Sequence, residues 1–269
     1  MNIFHDLDAW RRARDERPPE NSLGFVPTMG NLHVAHLSLV EHSQQENTDT
    51  LVSLFVNQTQ FNKPDDFTNY PRTLDADLEH LQRAGVRYCL IPTPEAIYPD
   101  GFGYQVHETT NKGPLEGQHR PGHFTGVLTV VMKLLHLAKP QRVYLGEKDY
   151  EQFQLIRDMV HAFLMDIEVK ACPTIREASG LAYSSRNSQL TPETRAQAEQ
   201  FASIFHRAPS CEKAIEALRA RVIDVEYIDE HDGRRFAAVN LDGVRLIDNY
   251  SLDPHLRPQT PPPQSPNDA

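Results

Sequence analysis

The segment Pro27-Thr-Met-Gly-Asn-Leu-His-Val-Ala-His36 joins the end of an apolar run to the start of an amphipathic one. A strand-to-helix turn of this kind gathers free backbone N–H groups and the positive end of a helix dipole at one point, which suits a phosphate. His33 and His36 are spaced to share a helix face, so both imidazoles can donate to one anion. The plainer reading is a capped helix start with two exposed histidines, or half of a metal site. Position directly after the first strand favours the phosphate reading.

Four further groups have types and spacings that suit the same chemistry. Gly146-Glu-Lys-Asp149 also follows an apolar run; a lysine there reaches phosphate as a mobile point charge, and the aspartate can hold a ribose hydroxyl. Ser184-Ser-Arg186 offers two hydroxyls and a planar guanidinium, a set that can clamp a polyphosphate leaving group. Taken singly, the first is better read as a solvated charged turn, and the second is also a polar loop with a helix cap. Gln60, in Phe55-Val-Asn-Gln-Thr-Gln-Phe61, has an amide that can recognise the hydroxyl and carboxylate of a small polar acid. Asp75 and Asp77 open a helix, where acids are favoured by the dipole alone; the alternative is that one of them holds a magnesium ion travelling with a triphosphate.

The elements that must position these residues alternate. Strands are expected at Leu23–Pro27, Thr50–Val56, Val86–Ile91, Arg142–Leu145 and Ile167–Cys172. Helices are expected at Val34–Gln45, Leu74–Ala84, Gly122–Ala138 and Tyr150–Leu164. Such alternation implies an α/β fold, a parallel sheet with helices on both faces, and ligands bound beyond the carboxyl ends of the strands. After about residue 190 the pattern becomes two helices and three short strands, a small α+β unit. The expected division is 1–175, 176–253 and a disordered proline-rich tail over 254–269.

Bulk properties bound the function. A chain of 269 residues with a formal charge of −10 lacks the basic face of a nucleic-acid binder, yet a few local cations can still hold phosphates. Cys89, Cys172 and Cys211 are isolated, which suits reduced thiols rather than a disulfide framework or a zinc site. The first residues lack the apolar core of a signal peptide and no run reaches the length of a membrane span, so a cytoplasmic protein is expected.

Taken together, the blocks GFVPTMGNLHVAHLSLV (24–40), SLFVNQTQF (53–61), YPRTLDADL (70–78), LEGQHRPGHFTGVLTVVMKLL (115–135), VYLGEKDYEQ (143–152) and IREASGLAYSSRN (175–187) resemble the pantoate–β-alanine ligase family of the nucleotidylyltransferase superfamily. The resemblance implies a Rossmann-like domain, a small C-terminal lid and a homodimer. It also implies a reaction: ATP, (R)-pantoate and β-alanine give pantothenate, AMP and pyrophosphate through a pantoyl adenylate. By position, His33, His36, Lys148, Ser184, Ser185 and Arg186 would stabilise the phosphates. Pro27, Thr28, Met29, Gly30, Gly146, Asp149, Ile175 and Tyr183 would complete the ATP site. Gln60, Gln152, Asn57 and Met29 would hold pantoate, and Asp77 is the candidate on the magnesium side.

The chain departs from the family pattern at five places. Ala35 stands within the His-x-Gly-His motif, Gln58 replaces a proline, Ser179 an aspartate, Tyr183 an aliphatic residue or methionine, and Glu151 a glutamine. These changes keep two alternatives in view: an adenylyl- or cytidylyltransferase for another small acid, and a non-catalytic nucleotide-binding relative.

Overall fold

The computed structural model describes residues 1–110, 115–253 and 255–256. Apart from His255 and Leu256, the proline-rich tail expected to be disordered lies outside the described residues. The chain divides into a compact unit over Met1–Pro173 and a second one from Thr174 onward.

In the first unit, β1 (Asn2–Phe4), β2 (Leu23–Thr28), β3 (Asp49–Leu54), β4 (Tyr88–Leu90), β5 (Arg142–Gly146) and β6 (Glu168–Cys172) form one parallel sheet. Its strand order is β1-β4-β3-β2-β5-β6. The connecting helices are α1 (Leu7–Asp15), α2 (Val34–Glu46), α3 (Pro64–Thr68), α4 (Leu74–Arg83), α5 (Pro94–Ile97), α6 (Glu116–His119), α7 (His123–Ala138) and α8 (Tyr150–Ala162). Alternate residues of each strand serve opposite faces. Leu23, Phe25, Leu51, Tyr88, Leu90, Val143 and Leu145 join a core with Trp10 of α1 and the apolar sides of α7 and α8. Val26, Val52, Leu54, Cys89 and Tyr144 pack the other way, against Leu39 and Val40 of α2 and Leu81 of α4. The expected α/β sheet covered on both faces is therefore present.

The strand order places a switch point at the centre of the sheet. From β2 the chain moves outward through β3 to β4 on one side, then returns to lay β5 and β6 on the other. Pairing between β2 and β5 covers only Gly24↔Arg142 and Phe25↔Val143, so these strands part before their carboxyl ends. A crevice at that point is where open parallel sheets bind ligands.

Some elements differ from expectation. The strand expected over Val86–Ile91 contracts to β4, and α8 stops at Ala162 because Leu164 turns to φ +53°. β1 and α1 add an edge strand and a helix at the start of the chain. α1 is capped by Asp6, whose carboxylate accepts the Ala9 N–H at 2.7 Å, and it is pinned by Trp10, whose Nε1 donates to the Leu137 carbonyl at 2.9 Å.

In the second unit, β7 (Asp224–His231), β8 (Arg234–Leu241) and β9 (Val244–Ser251) form an antiparallel meander. Two-residue turns at Asp232–Gly233 and Asp242–Gly243, both with positive φ throughout, match the twist of the strands they join. α9 (Pro192–Arg207) and α10 (Cys211–Arg219) close one face, with Phe201, Phe205, Leu218, Val239 and Tyr250 in the core. Beneath the loop that precedes α9, Arg176 grips Asp248 with two hydrogen bonds of 2.7 and 2.8 Å, and His206 Nε2 reaches the same carboxylate at 2.9 Å. Burial would raise the Asp248 carboxyl, but the Arg176 charge and the hydrogen bonds from His206 and Arg176 outweigh it and hold it well below the usual range.

Candidate active site

The segment after β2 is shaped from below by Asp77. Its Oδ2 accepts the Asn31 N–H at 2.9 Å, and its Oδ1 accepts the Leu32 N–H at 2.7 Å and the Thr73 hydroxyl at 3.2 Å. Gly30 (φ +79°) and Asn31 (φ +51°) both adopt the left-handed conformation there, and a Cβ on Gly30 would stand 2.9 Å from Asp77 Oδ2. Thr28 closes the strand by donating its hydroxyl to the Ser53 carbonyl at 2.8 Å. A buried carboxylate thus forces the chain to turn sharply into α2. Asp77 is also the residue expected on the magnesium side. The side chain is buried, and three donors from the turn and from Thr73 already meet its two oxygens. Among the described residues no group of three His, Cys, Asp or Glu side chains could hold a metal ion.

The turn delivers His33 as N-cap of α2 and His36 in its first turn, their ring centroids 4.0 Å apart. His36 Nδ1 accepts the His33 backbone N–H at 3.3 Å, so its single proton sits on Nε2, free to donate outward. Burial, then the charge of Lys148, pushes His33 down to about 4. Burial, then His33 and Lys148, pushes His36 down to about 3. Both rings are therefore neutral donors near pH 7. Lys148 is felt by both histidines, which places its ammonium beside them although it comes from the end of β5. Its Nζ lies 3.7 Å from Asp149 Oδ1, and Asp149 in turn raises His33. The crevice between the parting ends of β2 and β5 therefore holds two neutral imidazoles, an ammonium, and the N-terminus of α2.

At the end of the neighbouring strand β3, the 3-10 turn Gln58–Gln60 carries the expected acid-binding glutamine. Asn57 is 1% exposed, and its Nδ2 donates to Gln60 Oε1 at 3.0 Å and to the Gly126 carbonyl at 3.3 Å. The Gln60 backbone carbonyl meets His123 Nδ1 at 2.8 Å, while Arg120 donates to His123 Nε2 at 3.1 Å. Burial, then Arg120, pushes His123 down to about 4; Asp149 opposes this, which links the Gln60 side of the crevice electrostatically to the Lys148 side. Gln152, half-buried, lies in the first turn of α8. Beside it Glu151 is buried and accepts the backbone N–H groups of Leu115 and Glu116 at 3.1 and 2.6 Å.

The first unit therefore gathers His33, His36, Lys148 and Asp149 at one switch point, with Thr28, Met29 and Gly30 leading into it and Asn57 and Gln60 one strand over. In the second unit, Ser184 caps a 3-10 segment, its hydroxyl accepting the Arg186 N–H at 3.3 Å, and Ile175 and Tyr183 pair through their backbones at 3.1 Å. His123, Tyr98 and Gly126 escaped the sequence reading as site residues. His123 and Gly126 sit inside the motif block 115–135, but nothing in their types indicates that they pin a glutamine more than sixty residues away.

Comparison with known proteins decides the family. The pantoate-beta-alanine ligase family model matches residues 2–251. The chain belongs to the pantoate–β-alanine ligase family. It is 57% identical over 252 residues to a pantothenate synthetase of Legionella pneumophila, covering 94% of this chain and 100% of that one. A Coxiella burnetii pantothenate synthetase is 50% identical over 247 residues, covering 92% and 95%. Among solved structures, the Francisella tularensis pantoate-beta-alanine ligase complexed with beta-gamma ATP and beta-alanine superposes with a TM-score of 0.91 at 38% identity, covering 94% of this chain and 98% of that one. Pantothenate synthetase from Thermus thermophilus gives a TM-score of 0.86 at 38% identity, covering 94% and 99%. Enzymes of this family are ligases that form a carbon–nitrogen bond. These relatives favour the pantoate reading over a transferase for another acid or a non-catalytic relative.

Proposed function

We propose that this chain condenses (R)-pantoate with β-alanine at the expense of ATP, through a pantoyl adenylate, releasing AMP and pyrophosphate. The observation that carries the proposal is the meeting of neutral His33 and His36 with Lys148 at the β2/β5 switch point, beside Gln60. In the first step a pantoate carboxylate oxygen attacks the α-phosphorus and the bond to pyrophosphate breaks. Charge grows on the bridging and leaving oxygens, and preorganised N–H donors and an ammonium answer it without reorganising. In the second step the β-alanine amine attacks the activated carbonyl and AMP leaves. No covalent enzyme intermediate is required; positioning and electrostatics suffice.

Within this reading Pro27, Thr28, Met29, Gly30, Gly146 and Asp149 hold the nucleotide, Gln60, Gln152 and Met29 hold pantoate, and Asn57, its amide engaged by Gly126, Tyr98 and Thr59, serves pantoate through Gln60. Ser184, Ser185 and Arg186 are further phosphate donors, Ile175 and Tyr183 further nucleotide contacts, and the 176–253 unit serves as a small lid. Magnesium enters with the triphosphate rather than waiting in a protein cage. The protein works as a cytoplasmic homodimer and binds no nucleic acid. The acidic charge supports the absence of nucleic-acid binding.

Pantoate-dependent exchange of labelled pyrophosphate into ATP isolates the first step, and AMP release on adding β-alanine reports the second. The expected result is exchange that requires pantoate and not β-alanine. Folded protein that binds ATP but shows no exchange overturns the proposal.

A further inference from the structure

Gln60 has two chemically opposite ends, and which of them meets the substrate decides what the site can recognise. A carbonyl oxygen can only accept a hydrogen bond. The Gly126 carbonyl stands 3.3 Å from one end of the Asn57 amide, so that end must be the NH2 group. The other end, Oδ1, is met by two hydroxyls, Tyr98 at 2.6 Å and Thr59 at 3.0 Å, which suits an acceptor. With Asn57 fixed in this sense, its second N–H is directed at Gln60 at 3.0 Å, and only Oε1 can receive it. The Gln60 NH2 is then turned away from Asn57.

The supports of this chain are themselves held. Tyr98 is packed under the Lys133 ammonium, 4.9 Å from the ring centroid, while Lys133 donates to the Ile97 carbonyl at 3.0 Å and to Asp100 at 2.6 Å. Burial raises the Tyr98 phenol, so it keeps its proton. Gly126 can come so near only because it lacks a side chain: a Cβ there would meet the Thr59 carbonyl oxygen at 2.4 Å and Gln60 N at 2.6 Å. The Gln60 main chain is anchored separately, through its carbonyl, by His123.

We infer that Tyr98, acting through Asn57, is a positioning residue that turns the Gln60 NH2 group toward the substrate and makes that wall of the site a hydrogen-bond donor, selective for carboxylate and hydroxyl oxygens. The inference rests on the proposed contact between Gln60 and pantoate and adds to it the sense of the hydrogen bond and the residues that set it.

Tyr98→Phe keeps the ring and its packing under Lys133 but removes the hydroxyl. The expected result is a KM for pantoate raised roughly five- to tenfold, as for one lost ordering hydrogen bond, with the KM for ATP and the thermal midpoint nearly unchanged. In a Gln60→Ala background the same change is expected to add nothing, because the group it orients is gone. Thr59→Val, which removes the other hydroxyl on Asn57 Oδ1, acts in the same direction and serves if the tyrosine variant folds poorly. An unchanged pantoate KM in Tyr98→Phe, or an equal rise in both backgrounds, overturns the inference while leaving Gln60 as a pantoate ligand. Gln60→Ala with an unchanged pantoate KM overturns the assignment of Gln60 and the inference with it.

Discussion

His36 accepts a backbone N–H at Nδ1 and His123 meets a backbone carbonyl at Nδ1, so the two rings must be opposite tautomers. His36 carries its proton on Nε2, where it can reach a ligand; His123 carries its own on Nδ1 and accepts from Arg120 at Nε2. Long-range 15N–1H correlation spectra at pH 7 are therefore expected to show one Nε2–H ring and one Nδ1–H ring, neither charged; two rings of the same tautomer would contradict the hydrogen bonding. Bound triphosphate acts against burial, since a nearby anion favours imidazolium, so both active-site histidines titrate higher with ATP present. Asp77 supports a second prediction at this scale. Asp77→Asn keeps the shape but turns one oxygen into an NH2 facing a backbone N–H. That is expected to cost about 1–3 kcal/mol of stability and to weaken ATP binding by loosening the turn before His33. Magnesium titration of the rate separates the roles: an unchanged magnesium requirement fits a carboxylate occupied by Asn31 and Leu32, and a large shift in it would make Asp77 a ligand after all.

α7 approaches the Gln58–Gln60 turn closely enough that its first turn and the turn's carbonyls touch at Gly126. Gly126→Ala must therefore push the two apart, since the added methyl would lie well inside contact distance of Thr59 and Gln60 backbone atoms. The expected outcome is a raised pantoate KM together with a stability loss of about 1–3 kcal/mol, typical of overpacking, measured by denaturant unfolding beside steady-state kinetics. Nothing in the sequence around Gly126 announces this contact, because the glycine sits in an unbroken helical run and its partner is distant in the chain. By contrast the elements that place His33 and Lys148 were legible. Leu23–Thr28 and Arg142–Gly146 are apolar runs buried on both faces of a parallel sheet, and each is followed by residues whose types suit phosphate. β1 and α1 were not legible: two exposed residues and one partly buried one form the strand, and among the charges of α1 only Trp10 is buried. Trp10 is the buried anchor of the helix, with Leu7 packed partly against the same core and Arg14 donating to the Leu137 carbonyl at 2.8 Å. Trp10→Ala is accordingly expected to cost about 3–5 kcal/mol, through the emptied volume, while the Leu137 carbonyl keeps its hydrogen bond from Arg14.

For the whole molecule the buried titratable groups set the response to acid, and the sign follows from comparing folded with unfolded protons. In the unfolded chain, histidines take up protons as pH falls through about 6.5, whereas folded His33 and His123 do so only near 4 and His36 near 3. The unfolded state therefore binds more protons across this window, and stability is lost as pH drops from about 6.5 toward 4. Asp248 acts in the same direction at lower pH. Its carboxyl is held below the usual range by Arg176 and His206, so the stability it supplies is present above the ordinary carboxylate range and lost as pH falls toward its folded value. Calorimetric unfolding at pH 5 in buffers of different ionisation heat should show the buried histidines contributing on the order of three protons taken up. The two contributions can be separated by unit, because the histidines lie in Met1–Pro173 and the ion pair in the part from Thr174 onward. Asp248→Asn leaves Arg176 buried opposite a neutral amide, which is expected to cost about 3–5 kcal/mol at pH 7 and to remove the lower acid limb while the histidine window stays in place. An Asp248→Asn protein whose stability at pH 7 equals that of the parent would show the pair to be worth no more than the amide that replaces it. A histidine window that vanished with it would mean that acid is felt by the chain as one cooperative body rather than by two separately buried sets of groups.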